Sequence, residues 1–315
     1  MIRILLILLI ATQSFAQSNI EKAKKLWESK NNTEAKKILS TINNDSKDYA
    51  AAQYYLGRIA CDENVFDDAS DYLEEAVDAN DKIAEYHLWL GNTYATIAQN
   101  ANILKQGMLA PKMKSEWEKA ISLDPTLINA RQSLIQFYLQ APSFMGGSID
   151  KAKEMAIEIG KTKPAEGHLQ LGNIFLKENN PIAAEKEYNE AIKVDPVYSP
   201  ILGSFYVTQQ QFDKAFSCFE DAIKKNPEDF GTIYQIGKTS AISGLKLERG
   251  KECLMKYLAY QPKQNEPSHA GANMRLAQIY EKQGNKLEAK KLFESAFKAD
   301  PSLKLAKEGL ERVSK

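Results

Sequence analysis

Little in this sequence is suited to catalysis. Among 315 residues there are three histidines and three cysteines, and none falls in an HxxxH, HExxH or CxxC spacing. Cys61, Cys218 and Cys253 are an odd number, and the last two sit in the second helices of successive repeats described below. Stacked helices keep their axes about 8–10 Å apart, whereas a disulfide needs Cα atoms within roughly 7 Å. Three buried free thiols are therefore expected. No GxSxG element and no suggestive cysteine–histidine spacing are present. The run Gly231–Thr239 imitates a phosphate-binding loop, but it has five residues between its glycines where four are needed, and no strand precedes it. His87 and His168 share one place in their repeats and read as packing residues, while Asp67-Asp68 and Glu74-Glu75 read as solvated helix faces. The expectation is a chain that is not an enzyme and uses neither cofactor nor metal.

Excess charge is also missing. Forty-one basic residues face 41 acidic ones, without the basic block that a nucleic-acid partner needs. Long apolar runs are confined to the beginning, MIRILLILLIATQSFA. Arg3, the apolar stretch 4–11 and Ser14-Phe15-Ala16 before Gln17 make residues 1–16 a secretory signal peptide. No cysteine follows it to carry a lipid, and no later run is long enough to cross a membrane, so the mature chain is expected to lack an integral membrane segment. The expectation is export, to the periplasm or medium, after cleavage near Ala16-Gln17.

What the sequence does hold is a repeat. Ala165–Tyr198 reads as two amphipathic helices joined at Asn179-Asn180-Pro181 and stopped at Asp195-Pro196. Counting from Ala165, small or apolar residues take places 7, 8, 11, 20, 24 and 27: Leu171, Gly172, Phe175, Ala184, Tyr188 and Ala191. The pattern divides the chain into units at about 18–49, 50–83, 84–127, 128–164, 165–198, 199–229, 230–262 and 270–303, with a cap at 304–313. A period near 34 is the signature of a helical solenoid, in which each unit buries its apolar face on the next. The predicted fold is all-α, a single right-handed superhelical solenoid over 17–315 of about eight helix–turn–helix units plus a C-terminal capping helix.

These spacings resemble the tetratricopeptide repeat, and the resemblance covers nearly all of residues 18–302. It implies a concave groove lined by the first helix of each repeat, and a scaffold or adaptor that takes a peptide or protein segment there. The groove-facing ninth place reads Arg58, Asn92, Gln136, Asn173, Ser204, Lys238 and Gln278, beside Tyr54, Leu88, Gln132, Leu169 and Tyr234. Carboxamides can both donate to and accept from a peptide backbone, but asparagine there equally suits repeat packing. A clustered Lys/Arg clamp for a terminal carboxylate is missing.

Two units break the pattern. Between Tyr94 and Trp117 lie ten extra residues, and five more lie around APSFMGG at 141–147. Ile97, Ala101, Leu104 and Met108 recur at helical spacing, which predicts that the first helix runs on to Gly107 and that Phe144 and Met145 cover it. Leu104, Met108, Phe144 and Met145 form a candidate edge patch. With 263–269, these segments resemble a subgroup of exported bacterial tetratricopeptide-repeat proteins, from which no activity carries over. The alternative role is an enzyme-associated or small-molecule- or glycan-binding subunit using the edge at 97–110 and 141–147. Polar residues of the Gln99–Gln106 face gathered around a pocket would favour it.

Overall fold

A computed structural model describes residues 19–315. Residues 1–16, the expected signal peptide, lie outside the described residues. Those residues hold seventeen α-helices and two single-turn 3₁₀ helices, and no strand is found among them. They form two compact units that divide between Thr162 and Lys163. The first contains α1 (Asn19–Glu28), α2 (Asn32–Leu39), α3 (Tyr49–Asp62), α4 (Phe66–Ala79), α5 (Ala84–Gln99), α6 (Ile103–Leu123), α7 (Ile128–Gln140) and α8 (Ile149–Thr162). The second contains α9 (Pro164–Lys177), α10 (Pro181–Val194), α11 (Ser199–Thr208), α12 (Phe212–Lys225), α13 (Phe230–Ser243), α14 (Leu247–Leu258), α15 (His269–Lys282), α16 (Lys286–Ala299) and α17 (Lys304–Val313). Within each unit an odd-numbered helix packs on the even-numbered helix after it, and each pair packs on the next, which is an α solenoid.

Local chemistry sets the reversals. Between paired helices the backbone turns through the left-handed region at Asn64, Asn179, Gln210 and Gly284. In the α9–α10 turn, Asn179 takes φ 56°, Asn180 caps α10 by accepting from the Ala183 amide at 3.1 Å, and Pro181 starts the helix. Proline follows the ends of α6, α10, α12 and α16. Asp195 is extended because α geometry before a proline is disfavoured, and its Oδ1 accepts from the Val197 amide. Asp124 and Asp300 repeat this arrangement before Pro125 and Pro301. At the C-terminus α17 buries Ala306, Gly309 and Val313 and exposes most of its remaining residues, as a terminal cap should.

The eighth and twenty-fourth places are a matched pair. A Cβ on Gly172 would lie 2.6 Å from the Tyr188 ring, and one on Gly237 would lie 2.3 Å from Leu254. Glycine is needed for this close approach of helices. Replacing Gly172 by valine should therefore cost about 1–3 kcal/mol, the usual penalty of overpacking, read as a lower urea midpoint with an unchanged slope. Successive repeats are also tied by tyrosine. Tyr94 donates to Glu74 at 2.5 Å and Tyr206 to Glu185 at 2.7 Å, each reaching back to the second helix of the preceding repeat. Burial, then the Glu185 bond, pushes the Tyr206 hydroxyl up to about 12.

Two expectations are corrected. The inserted residues lengthen the second helix of the third unit, not the first. The α5 helix stops at Gln99, Asn102 caps α6 by accepting from the Lys105 amide at 2.9 Å, and α6 runs 21 residues with Pro111 inside it. Nor are all three thiols buried. They are free, but only Cys253 is enclosed, while Cys61 and Cys218 are half-buried. Burial pushes the Cys253 thiol up to about 11, which keeps it protonated and unreactive at neutral pH.

Candidate binding site

The ninth-place residues lie on first helices, and the structure divides them by employment. Asn92 Oδ1 accepts from Trp117 Nε1 at 2.9 Å and from Ser133 Oγ at 3.1 Å, so one atom joins α5, α6 and α7. Asn173 Oδ1 accepts from the Tyr188 hydroxyl at 2.6 Å. Trp117 and Tyr188 hold the same twenty-fourth place, so in both repeats the asparagine carbonyl serves packing. Gln278 accepts from Arg275, and the Ser204 hydroxyl donates to its own helix at Pro200. Asn173, Ser204 and Gln136 are exposed, and Lys238 and Gln278 are half-buried.

Arg58 is held in a different way. Its guanidinium lies 3.4 Å from the ring centre of Trp89 on α5 and 4.8 Å from that of Trp27 on α1, and Nη1 donates to Tyr54 Oη at 2.8 Å. Trp27 is itself anchored by donating to Asp62 at 2.8 Å. Delocalised guanidinium stacks on ring faces in this way where a compact ammonium would not.

Four of the expected groove residues belong to the core. Tyr54, Leu88, Leu169 and Tyr234 are buried: the fifth place shares a helix face with the ninth but lies where neighbouring helices cover it. Tyr54 Oη is taken by Arg58, and Tyr234 packs on Tyr257 with ring centres 5.1 Å apart. Gln132 stays half-buried at the surface. On the inserted edge, Leu104, Met108 and Phe144 are open to solvent at 73%, 67% and 80%. Met145 alone folds over the insertion, its Cε 3.7 Å from where a Gly107 Cβ would stand. The stripe expected from Ile97 to Met108 is cut by the break at 100–102, so Phe144 has no continuous surface to cover.

Spacing alone did not show one cavity of about 790 Å³ in the first unit, bounded by α5, α6, α7 and the loop at 141–145. Trp89, Met113, Trp117 and Phe137 supply apolar wall, and Pro142 and Met145 the rim. Gln99 and Gln106, from either side of the helix break, both line it, together with Asn92, Gln132 and Gln136 from the predicted row. None of the lining residues is acidic, basic or histidine. The signal available in the sequence was the run Asn129, Gln132, Gln136 and Gln140, one stripe of α7 at spacings of three, four and four. Among the described residues, no cluster of three or more His, Cys, Asp or Glu side chains could hold a metal, and no helix is long and apolar enough to cross a membrane.

A family model described as tetratricopeptide repeat matches residues 165–198, 201–229 and 270–303. The chain carries tetratricopeptide repeats. Its fold is similar to the crystal structure of a tetratricopeptide repeat protein from Parabacteroides merdae ATCC 43184, with a TM-score of 0.52 at 17% identity over 84% of this chain and 99% of that one. A thermophilic TPR protein of Thermus thermophilus aligns with a TM-score of 0.41 at 18% identity over 58% of this chain and 94% of that one. No curated protein matches the sequence. Tetratricopeptide repeats generally mediate protein–protein interaction and are generally non-catalytic.

Proposed function

We propose that this tetratricopeptide-repeat protein is an exported scaffold or adaptor of the bacterial cell envelope that holds a segment of a protein partner on the face of its first helices. Export rests on residues 1–16 alone. Protein sequencing of the form isolated from a periplasmic fraction should begin at Gln17; an intact Met1 would overturn that part.

The observation that carries the scaffold reading is the repeat array and what it leaves over. The eighth, eleventh and twenty-fourth places are consumed by packing, while ninth-place side chains in successive repeats of the second unit, Asn173, Ser204, Lys238 and Gln278, keep surface. Their polarity is mixed and nearly neutral, which suits a partner surface and not a polyanion. Asn173 is a poor probe because its carbonyl holds Tyr188. Ser204→Arg with Lys238→Glu changes the exposed chemistry without touching an inter-helix bond. Affinity capture with cross-linking and mass spectrometry should find a partner linked near these places and lost from the double variant. An unchanged set of captured proteins, or cross-links confined to second-helix lysines such as Lys186 and Lys291, would overturn the assignment.

A further inference from the structure

We propose that the cavity between α5, α6 and α7 is a binding site for an uncharged linear saccharide, a role separate from protein docking on the second unit. Charge is the first argument. A quarter of all residues are charged, 26%, yet none of these lines the cavity. A ligand bearing charge would meet no counter-ion among the lining side chains. Seven carboxamides share the lining instead, and each can both donate and accept.

The second argument is polarity. Trp117 Nε1 can only donate, so its bond to Asn92 fixes the carbonyl of Asn92 inward and leaves the amide group for a ligand. The Ala101 carbonyl can only accept, so its 3.0 Å bond from Gln106 fixes that amide group and leaves Oε1 as an acceptor. Preset donors and acceptors facing one space suit hydroxyls, which answer to either role.

Spacing is the third. Asn129, Gln132, Gln136 and Gln140 follow one another by a helical turn, about 5.4 Å, comparable to the advance of one pyranose along a chain. An extended peptide presents same-face groups every two residues, roughly 6.6 Å, and a helical peptide has already satisfied its backbone. Trp89, Met113 and Met145 supply apolar surface for the C–H faces of a sugar ring.

The protein contains three tryptophans, and two of them, Trp89 and Trp117, line the cavity, so intrinsic fluorescence reports on it directly. The full chain is titrated with hexasaccharides of maltose, cellulose, N-acetylchitin and xylan type, with calorimetry in parallel. The controls are a hexagalacturonate and an uncharged acetylated, amidated Gly-Ser hexapeptide. At least one neutral sugar should give a saturable emission change. Gln132→Ala and Gln136→Ala, both at surface positions, should each weaken it about tenfold, the worth of one or two hydrogen bonds, with far-UV circular dichroism unchanged. The proposal is overturned if no neutral sugar binds at millimolar concentration, if the hexagalacturonate or the peptide binds as well or better, or if both variants bind like the parent. Partner capture through Ser204 and Lys238 stands or falls independently of these outcomes.

Discussion

Truncating Phe219 to alanine should remove about 3–5 kcal/mol of stability, the range for deleting a buried aromatic side chain. Phe219 on α12 is fully enclosed, and its ring lies so close to Gly203 on α11 that a Cβ there would stand 2.5 Å away. The cavity left would open between the two helices that define one repeat. Its surroundings cannot collapse freely, because the core of the second unit is continuous from Leu169 through Tyr188, Phe216, Leu254 and Ile279. Urea unfolding followed by circular dichroism reads the loss as a lower midpoint. Ile182→Ala is the control: that side chain is 83% exposed, so the change should lie within about 0.5 kcal/mol. Equal effects of the two substitutions would contradict the packing described above.

The second large effect belongs to His87. Its Nδ1 lies 2.6 Å from Glu116 Oε2 and its Nε2 lies 2.9 Å from the Asp81 carbonyl, with the ring only 5% exposed. A carbonyl and a carboxylate both accept, so both ring nitrogens should carry protons. Burial acts against that charge, but the Glu116 and Asp81 bonds outweigh it and, despite nearby Lys119, raise the pKa above the ordinary histidine value. The sign follows. A raised folded-state pKa gives stability that is fully present below the unfolded value near 6.5 and is lost as pH climbs through the folded one. Stability measured from about pH 5.5 to 9 should fall across that interval, and Glu116→Gln should flatten the fall. Glu116→Ala should cost about 1.5–3 kcal/mol at pH 6, the worth of a charge-assisted hydrogen bond, and less at pH 9. A loss of equal size at both ends would place the role of Glu116 in packing. His168 and Glu187 form the same pair at 2.7 Å with the imidazole 34% exposed, and solvent makes such pairs worth little.

Most of the fold was legible because its causes are local and repeated. Glycine at the eighth place, an aromatic or leucine at the twenty-fourth and Asp-Pro at the end each have one physical job, and the structure shows each doing it. The insertion was misread because helical spacing from Ile97 to Met108 fits a single helix as well as two. The contrary signal was Asn102, which caps a helix by its own side chain. The fifth-place residues were misplaced because a pattern gives the angle around a helix but not the depth at which its neighbour sits. The cavity was the least visible feature, since it needs the redirected α6, the α7 stripe and the 141–145 loop at once. Only the α7 stripe is written in consecutive turns.

The stack of Trp27, Arg58 and Trp89 bears on how the first unit responds to ionic strength. Exposed pairs such as Lys36–Glu63 and Lys105–Asp67 weaken as salt shortens the reach of charge, already about 8 Å at physiological strength. A guanidinium between two indoles is fastened by ring faces at near contact distance, where mobile ions have little room to intervene. In brine or in dilute buffer, the opening repeats of the array therefore carry one positive charge at a constant address.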